Sequence, residues 1–363
     1  MKQNIGVIFG GPSPEHDISV LTGLQAARIL SSEYNVFALY WSKDNKWYLN
    51  EPSLEGKDYL NNKKVMKNSL SLSFERDGGF YLKKKKLNID VLVNACHGGP
   101  GEDGRLQSLL DIIGIPYTGP DHILANICMD KYLFTTLLSN KGLPVLDRVL
   151  IHDDLIEVDF EPPYIVKPRF GGSSIGVEIV GDLKTAKALI DNSNLYSNGA
   201  VVEKYLEGCQ DYLLGVMSYP SLSYSEIEKP IVNNNGATIY NYEDKYLRGR
   251  GLEDSKRELP ANLSGKDNEL ILSLAKQLVS IIGSKGVMRI DFIKSENNIY
   301  INEVNSIPGS FSTYLWSNTD LTKFDILNNI VLEAINAVDY PWQISASDGR
   351  ALSSADDIQS KLE

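Results

Sequence analysis

Two short apolar stretches near the C-terminal end predict a β-hairpin that places acidic groups on one face. They span residues 287–293 (VMRIDFI) and 299–305 (IYINEVN), and the polar residues between them can form the turn. In this register Asp291 lies opposite Glu303 and Arg289 opposite Asn305, with all four side chains on the same face. Facing carboxylates repel each other unless they share a divalent cation, for which the Asn305 carbonyl is a third oxygen ligand. The hairpin therefore predicts a magnesium site, with hydrated charges on a solvent-facing strand pair as the alternative.

The composition is that of an acidic globular protein. A chain of 363 residues with 42% hydrophobic content is long enough for two or three domains. No apolar run reaches the length of a membrane span and the N-terminus lacks a signal-peptide pattern, so we expect a cytoplasmic protein without a membrane partner. The three scattered cysteines predict reduced, buried thiols. A net charge of -11 argues against a nucleic-acid partner, although a small anionic ligand could still bind in a locally basic pocket.

The first third of the chain has the pattern of a nucleotide-binding fold. A buried strand at 4–11 ends in a glycine pair, and apolar residues at helical spacing follow at 18–30. Another apolar strand, at 89–95, ends in a glycine-rich loop, HGGPGEDG. Ligands bind at this edge of α/β sheets. We therefore expect an N-terminal Rossmann-like domain over residues 1–120, with a parallel sheet.

Two further regions follow. Residues 121–206 predict a helix through Ser139 and then strands and a second helix. Residues 207–340 form the third region and contain a polar, tyrosine-rich segment, 233–258, which is too long for a simple connection and is typical of a lid. A polar tail at 341–363 completes the chain.

The segment Lys167–Gly176 (KPRFGGSSIG) has the features of a phosphate-binding loop. It offers glycine backbone amides, two hydroxyl groups and a lysine between two predicted strands. It is not a P-loop, because a strand and not a helix follows, and a flexible hairpin is the alternative. Lys131 and Lys204 supply further cations, although isolated lysines are usually surface residues. Glu203 closes an apolar strand before a linker, a position where backbone groups commonly bind an adenine and a carboxylate binds the ribose.

Glu15 lies between a glycine pair and a helix. An acidic residue at this position can simply interact favourably with the helix dipole. His97 lies at the end of the neighbouring strand, and its presence favours a functional role for Glu15.

Eight motifs, in order, carry a family resemblance. The chain resembles the D-alanine–D-alanine ligases of the ATP-grasp superfamily over residues 6–315. The motifs are Glu15-His16 with Ser19 and Gly23, HGGPGEDG with Gln107, IPYTGP, MDK at 129–131, KPRFGGSSIGV, YNYEDKY, MRIDF and NEVNSIPG. The resemblance implies an α/β protein with the ATP-grasp fold, in which the ATP-binding part is α+β and follows a Rossmann-like domain. It also implies a homodimer.

The same resemblance implies ATP as a substrate and two Mg²⁺ ions, or Mn²⁺, as cofactors. The ATP-binding residues would be Lys131, Lys167, Ser174, Glu203, Lys204, Leu206 and Asp211. Gln210 has the family spacing for the ribose ligand, whereas Asp211 fits the flanking apolar pattern better. The metal ligands would be Asp291, Glu303 and Asn305.

The family reaction forms D-alanyl-D-alanine for peptidoglycan precursors. The carboxylate of one D-alanine attacks the γ-phosphate of ATP, and the amine of the second then displaces phosphate from the acyl phosphate. The catalytic residues implied are Glu15, Ser173, Tyr246, Arg289 and Gly309, the last through its amide on the developing oxyanion. The substrate-binding residues implied are Glu15, His97, Lys245, Tyr314 and Leu315. Closure of the lid would exclude water from the acyl phosphate.

The sequence leaves the identity of the second substrate, the acceptor, open. Tyr246 favours an amine acceptor, because relatives that form a D-alanine–D-lactate ester carry a different residue there. Tyr314, however, stands where the family has a serine that receives the second carboxylate. A ligase that joins D-alanine or another small amino acid to a different acceptor is therefore one alternative. A catalytically silent nucleotide-binding regulator is another, and the short glycine pattern disfavours a dinucleotide-dependent dehydrogenase.

Overall fold

The N-terminal third folds around a seven-stranded sheet with the order β6-β5-β4-β3-β2-β1-β7. The structure is a computed structural model, and it describes residues 2–155, 157–231, 256–337, 348–354 and 357–358. The central strand β1 pairs in parallel with β2 and β7, and β3 to β6 extend the sheet in antiparallel fashion. The strands are β1 Asn4–Gly10, β2 Asn35–Trp41, β3 Trp47–Asn50, β4 Ser69–Ser73, β5 Gly79–Leu82, β6 Lys85–Lys86 and β7 Val91–Asn94.

Helices cover both faces of this sheet. They are α1 His16–Leu30, the short α2 Asn62–Val65 and α3 Arg105–Ile113. The ends of β1 and β7 lie side by side, and the Ser19 hydroxyl joins them because it accepts from the Gly10 amide (2.7 Å) and donates to the Ala95 carbonyl (2.9 Å). The predicted strand and helix at the start of the chain are confirmed within two residues at each end. Glu15 and the loop from His97 therefore begin at the same sheet edge.

The central region contains an antiparallel sheet with the order β10-β9-β11-β8. Its elements are α4 His122–Met129, α5 Lys131–Asn140, β8 Arg148–Leu150, β9 Tyr164–Pro168, β10 Glu178–Val180, α6 Leu183–Asp191 and β11 Ala200–Lys204. The prediction of one helix through Ser139 is wrong, because the chain turns at Asp130 (φ -81°, ψ 98°). The Asp130 carboxylate caps α5 by accepting from the Tyr132 and Leu133 amides, and Arg169 pairs with it at 2.6 Å.

The C-terminal region is built on an antiparallel sheet with the order β14-β13-β12-β15-β16. Its elements are β12 Gln210–Met217, β13 Ser223–Pro230, β14 Arg257–Glu258, α7 Gly265–Ile282, β15 Val287–Ser295, β16 Asn298–Asn305, α8 Lys323–Asn336 and α9 Arg350–Ser353. The predicted hairpin is confirmed: Asp291 lies opposite Glu303 and Arg289 opposite Asn305. A bulge follows, since Phe292 pairs with Ile301 and leaves Asn302 as the extra residue on β16.

One hydrophobic core joins the two ends of the chain. Residues of β1, α1 and β7 pack with the segment 307–316 and with α8 in a single buried cluster. A second core lies between α7 and the C-terminal sheet, and smaller ones lie on the other face of the N-terminal sheet and in the central region. Within the described residues, every helix is too short or too polar to cross a membrane.

Candidate active site

A cavity of about 580 Å³ lies between the central and C-terminal sheets. Many of the predicted site residues line it: Lys131, Lys167, Ser173, Ser174, Glu203, Lys204, Leu206, Asp211, Arg289, Asp291, Glu303 and Tyr314. Gln210, the alternative ribose ligand, lines it as well. The fold therefore brings the predicted phosphate loop and the acidic hairpin, which are more than 100 residues apart in sequence, to one site.

Other predicted residues do not line the cavity, although the Glu15 and Asn305 side chains contact residues that do. Glu15, His97, Asn305, Gly309 and Leu315 are described by the structure but do not line the cavity. Leu315 is fully buried in the core shared by the two chain ends, so its side chain packs against protein. Lys245 and Tyr246 lie outside the described residues, as do most of the predicted lid and tail.

The acidic hairpin has a compact network of charges. Arg289 donates from Nε and Nη2 to the two carboxylate oxygens of Asp291, at 2.7 and 2.8 Å. The side-chain nitrogen of Asn305 (Nδ2) donates to Asp291 Oδ2 at 3.2 Å. Both Arg289 and Asp291 are buried, and a two-point contact of this kind fixes the orientation of each group. Arg289 is thus held at the cavity wall with its guanidinium directed along the strand face.

The hairpin also fits a hard divalent cation. Glu303 faces Asp291 across the strands, and the Asn305 side chain reaches the same carboxylate. This set has two carboxylates and one amide oxygen, which is the ligand type that Mg²⁺ prefers. Among the residues that the structure describes, no group of three or more His, Cys, Asp or Glu side chains is placed to hold a metal ion.

Glu203 is fully buried between two cations. Arg148 Nε donates to Glu203 Oε2 at 2.6 Å, and the Lys167 ammonium pairs with the other oxygen. Burial alone would raise the pKa of Glu203, but the charges of Lys167 and Arg148 outweigh it and lower the pKa to about 2. Arg148 also donates to Asn302 Oδ1, the bulged residue of β16, at 2.5 Å. The Glu203 carboxylate therefore orients Lys167 at the cavity. Because both carboxylate oxygens are already paired, Glu203 could contact an adenine only through its backbone groups.

Sequence reasoning missed Arg148. The signal for it is a single basic residue within the apolar stretch VLDRVLI. A charge in a buried strand needs a partner, so such a residue marks an ion pair even before the partner is known.

The glycine-serine loop is tied to Glu15 and Lys131. Ser173 and Ser174 adopt left-handed backbone angles (φ 53° and 59°). The Ser173 hydroxyl donates to Glu15 Oε1, and the Lys131 ammonium donates to the Gly171 carbonyl. Burial lowers the pKa of Lys131. The Glu15 side chain makes no cap hydrogen bond to its own helix, and its carboxylate contacts the loop through Ser173.

Tyr314 is held by residues that sequence reasoning did not single out. The Arg257 guanidinium lies over the Tyr314 ring, 4.3 Å from its centre. Arg257 also pairs with the buried Glu228 carboxylate at 3.4 Å. Burial and the Glu228 charge raise the pKa of the Tyr314 hydroxyl, which therefore stays protonated and can donate. The sequence gives little indication that Arg257 and Glu228 contact Tyr314, since both lie far from it in the chain.

Comparison with known proteins assigns the family. Residues 4–120 match the model described as D-ala D-ala ligase N-terminus, and residues 142–331 match the model described as D-ala D-ala ligase C-terminus. The chain belongs to the D-alanine–D-alanine ligase family. It is therefore an ATP-dependent ligase, and both the predicted family and the predicted ATP-grasp fold are confirmed. Peptidoglycan precursor synthesis is the general role of this family.

Several relatives and solved structures are similar over most of their length. The D-alanine–D-alanine ligase of Thermosipho melanesiensis is 33% identical over 342 residues, which cover 90% of this chain and 92% of that protein. The structure of the ligase from Helicobacter pylori is 27% identical with a TM-score of 0.71, covering 91% of this chain and 99% of that one. The VanG D-Ala:D-Ser ligase from Enterococcus faecalis has a TM-score of 0.75 at 24% identity over 92% of this chain and 100% of that one, a likeness of fold alone.

Proposed function

We propose that this D-alanine–D-alanine ligase family member joins two D-alanines to D-alanyl-D-alanine, with ATP converted to ADP and phosphate. The observation that carries the proposal is the single cavity in which Lys131, Lys167 and the glycine-serine loop face the hairpin of Asp291 and Glu303. Two cations with backbone amides on one side and hard oxygen ligands on the other suit a bound triphosphate. A nucleotide-binding regulator would have no need for Arg289 beside the acidic pair.

The proposed ATP site uses both sheets. Lys131, Lys167 and Ser174 bind the phosphates, and the linker after β11 binds the adenine. Lys204 ends β11 and Leu206 lies in that linker, with Asp211 on the ribose. Asp211 is half-buried whereas Gln210 is exposed, which supports Asp211. Two Mg²⁺ ions, held by Asp291, Glu303 and Asn305, would neutralise charge on the transferred phosphoryl group.

The proposed reaction has two steps. The carboxylate of the first D-alanine attacks the γ-phosphate, so that an acyl phosphate forms and ADP leaves. The amine of the second D-alanine then attacks the acyl carbon, and the C–O bond to phosphate breaks. Glu15, oriented by the Ser173 hydroxyl, binds the ammonium of the first substrate. Arg289 and the Gly309 amide stabilise the oxyanion, and Lys245 and Tyr246 would close over the site.

One observation favours a second candidate, a ligase with a different acceptor. The acceptor side of the cavity carries Tyr314 together with the charged pair of Arg257 and Glu228. The Tyr314 hydroxyl donates to the Glu228 carboxylate, and this polar pair suits an acceptor with an additional polar group. D-serine is the first acceptor to compare with D-alanine. The homodimer, the cytoplasmic location and the absence of nucleic-acid and membrane partners stay predictions from sequence.

Phosphate release from MgATP tests the proposal. D-alanine is supplied alone and then with D-serine, D-lactate or L-amino acids, and the products are identified by mass. Release with D-alanine alone, with D-alanyl-D-alanine as the product, supports the leading proposal. Turnover only in a mixed pair supports the second candidate, and ATP binding without turnover rejects both.

Matched variants test the metal ligands in the same assay. Asp291→Asn and Glu303→Gln each replace a charged carboxylate ligand by a neutral amide, so we expect a loss of at least about 100-fold in kcat and a higher Mg²⁺ requirement. Glu296→Gln changes an exposed carboxylate in the turn of the same hairpin and should leave both unchanged. Equal activity in all three variants would reject the proposed ligands.

A further inference from the structure

Within the segment from Ile307 to Ser310, few hydrogen bonds fix the backbone conformation. Ser310, Phe311 and Ser312 follow one another with left-handed backbone angles (φ 50°, 50° and 46°). This conformation is unfavourable for residues with a Cβ, so it persists only where contacts from elsewhere enforce it. Hydrogen bonds from the N-terminal region, more than 200 residues away in sequence, hold Ile307 and Ser310, and Phe311 is buried in the core.

The first contact is a directed chain of hydrogen bonds through Thr22 and His97. The Ser310 amide donates to Thr22 Oγ1 at 3.1 Å. His97 Nδ1 lies 2.7 Å from the Ile307 carbonyl oxygen, and His97 Nε2 lies 2.8 Å from Thr22 Oγ1. A carbonyl can only accept, so Nδ1 carries the proton and Nε2 accepts from the Thr22 hydroxyl. Each group in the chain therefore has one defined role.

The neutral state of His97 agrees with this chain. Burial lowers the pKa of His97 to about 4, so the ring carries a single proton near pH 7. A doubly protonated ring could not accept from Thr22. His97 and Thr22 are both buried, and each ring nitrogen of His97 has a partner within the protein.

The second contact is a carboxylate that bridges two loops. Glu102 Oε1 accepts from the Ile307 amide at 3.2 Å, and Glu102 Oε2 accepts from the Gly98 amide at 2.7 Å. Glu102 is buried, and both of its oxygens are directed at backbone donors. Ile307 is thus held through its amide by Glu102 and through its carbonyl by His97.

We propose that Thr22, His97 and Glu102 are positioning residues that fix the backbone from Ile307 to Ser310 and, with it, the Gly309 amide. The inference rests on the proposed function, in which that amide stabilises the oxyanion that forms when the amine attacks the acyl phosphate. An amide donor contributes only when it is already aimed at the developing charge. A displacement of about 1 Å can reduce the rate about 100-fold. Thr22 matters because its hydroxyl joins Ser310 to His97.

A matched pair of variants at Thr22 tests the proposal. Thr22→Val keeps the shape of the side chain but removes the hydroxyl, whereas Thr22→Ser keeps the hydroxyl. We expect Thr22→Val to lower kcat about 10-fold to 100-fold with the KM for ATP changed less than about twofold, and Thr22→Ser to retain at least about half of the wild-type kcat. Circular dichroism and thermal unfolding confirm that both variants are folded.

Amide hydrogen exchange supplies a readout that does not depend on turnover. Thr22→Val should accelerate exchange of the Ser310 amide at least about 10-fold, and Thr22→Ser should not, because only the valine leaves that amide without an acceptor. Glu102→Gln should accelerate exchange of either the Ile307 or the Gly98 amide, since a carboxamide offers a single acceptor oxygen.

The outcomes separate the inference from the proposed function. An active wild type with equally active Thr22→Val and unchanged exchange overturns the positioning role and leaves the proposed function intact. A folded wild type that binds ATP but ligates no amino acid overturns the proposed function, and the exchange data then decide whether Thr22 fixes the segment. Reduced kcat with faster exchange in Thr22→Val, and rescue in Thr22→Ser, supports the positioning role.

Discussion

Three buried ionisable residues show how local surroundings set the charge of a side chain. Glu203 has its pKa lowered to about 2 because Lys167 and Arg148 outweigh its burial. Burial, with the nearby Glu15 charge, raises the pKa of Glu102 to about 8, although two amides favour its ionised form. Burial lowers the pKa of His97 to about 4. Cations therefore gather at the proposed phosphate site, while the His97 ring stays uncharged near neutral pH.

The lowered pKa of His97 predicts a stability loss in acid. Between pH 6.5 and about 4 the unfolded chain binds a proton at His97 that the folded chain does not bind. The contribution of His97 to the free energy of unfolding must therefore fall as the pH falls through this window, by up to about 1.4 kcal/mol per pH unit, whereas the raised pKa of Glu102 acts in the opposite direction. The variant His97→Asn can still donate to the Ile307 carbonyl but does not titrate.

Urea unfolding of wild type and His97→Asn at pH 7, 6 and 5 checks this prediction. The stability advantage of the wild type over the variant should shrink as the pH falls, because all other titrating groups are common to both. A constant difference across the three pH values would contradict it.

Sequence reasoning at the residue scale succeeded where partners are close along the chain. Asp291, Glu303 and Arg289 were predicted to lie together because the register of a short hairpin follows from alternation alone. Thr22, Glu102 and Arg148 were missed, because the groups that give them a role lie 55 or more residues away. A single sequence contains no signal for such pairings.

At the scale of elements, the contact between α1 and β1 depends on the absence of a side chain. A Cβ at Gly23 would lie 2.3 Å from the Cβ of Phe9, which is itself fully buried. The helix can therefore approach the strand only with glycine at this position. This approach places Glu15 and Thr22, at the start and middle of α1, against the loops that they contact.

Gly23→Ala should therefore destabilise the protein, by about 1–3 kcal/mol in the free energy of unfolding. Alanine ordinarily stabilises a helix by about 1 kcal/mol relative to glycine, so helix propensity alone would predict that the substitution stabilises the protein. Gly265→Ala is the matched control, because Gly265 begins α7 and is exposed, and a Cβ at this position would meet no neighbouring atom within 4 Å. Denaturant unfolding should show the control unchanged or slightly more stable, and a stabilised Gly23→Ala would refute the packing argument.

Helices and strands were predicted well where the apolar periodicity alone sets their bounds. They were predicted poorly where a residue far away in the sequence stabilises a break. The first strand, the first helix and the C-terminal hairpin follow from apolar spacing. The break between α4 and α5 does not, because the turn at Asp130 is supported by Arg169, 39 residues later. The apolar pattern continues through the break, so periodicity alone predicts one helix.

At the scale of the whole molecule, the first and last parts of the chain fold as one unit. Residues of β1 and α1 share a core with the segment 307–316 and α8. The central sheet has a separate and smaller core. No pattern in the sequence shows that residues about 300 positions apart pack together. The arrangement nevertheless explains how the N-terminal loops can hold a segment at the far end of the chain.

Because α8 and α1 share one core, a cavity created in α8 should also destabilise α1. Leu327→Ala, at a position that is 1% exposed, should cost about 2–5 kcal/mol and accelerate hydrogen exchange of the α1 and β1 amides as well as those of α8. Leu278→Ala is the matched control, because Leu278 is equally buried but belongs to the core between α7 and the C-terminal sheet. It should accelerate exchange in α7 while the α1 amides keep most of their protection. Exchange in α1 that responds equally to both variants would mean that the chain opens as one cooperative body, whereas no response of α1 to Leu327→Ala would mean that the two chain ends are stabilised independently.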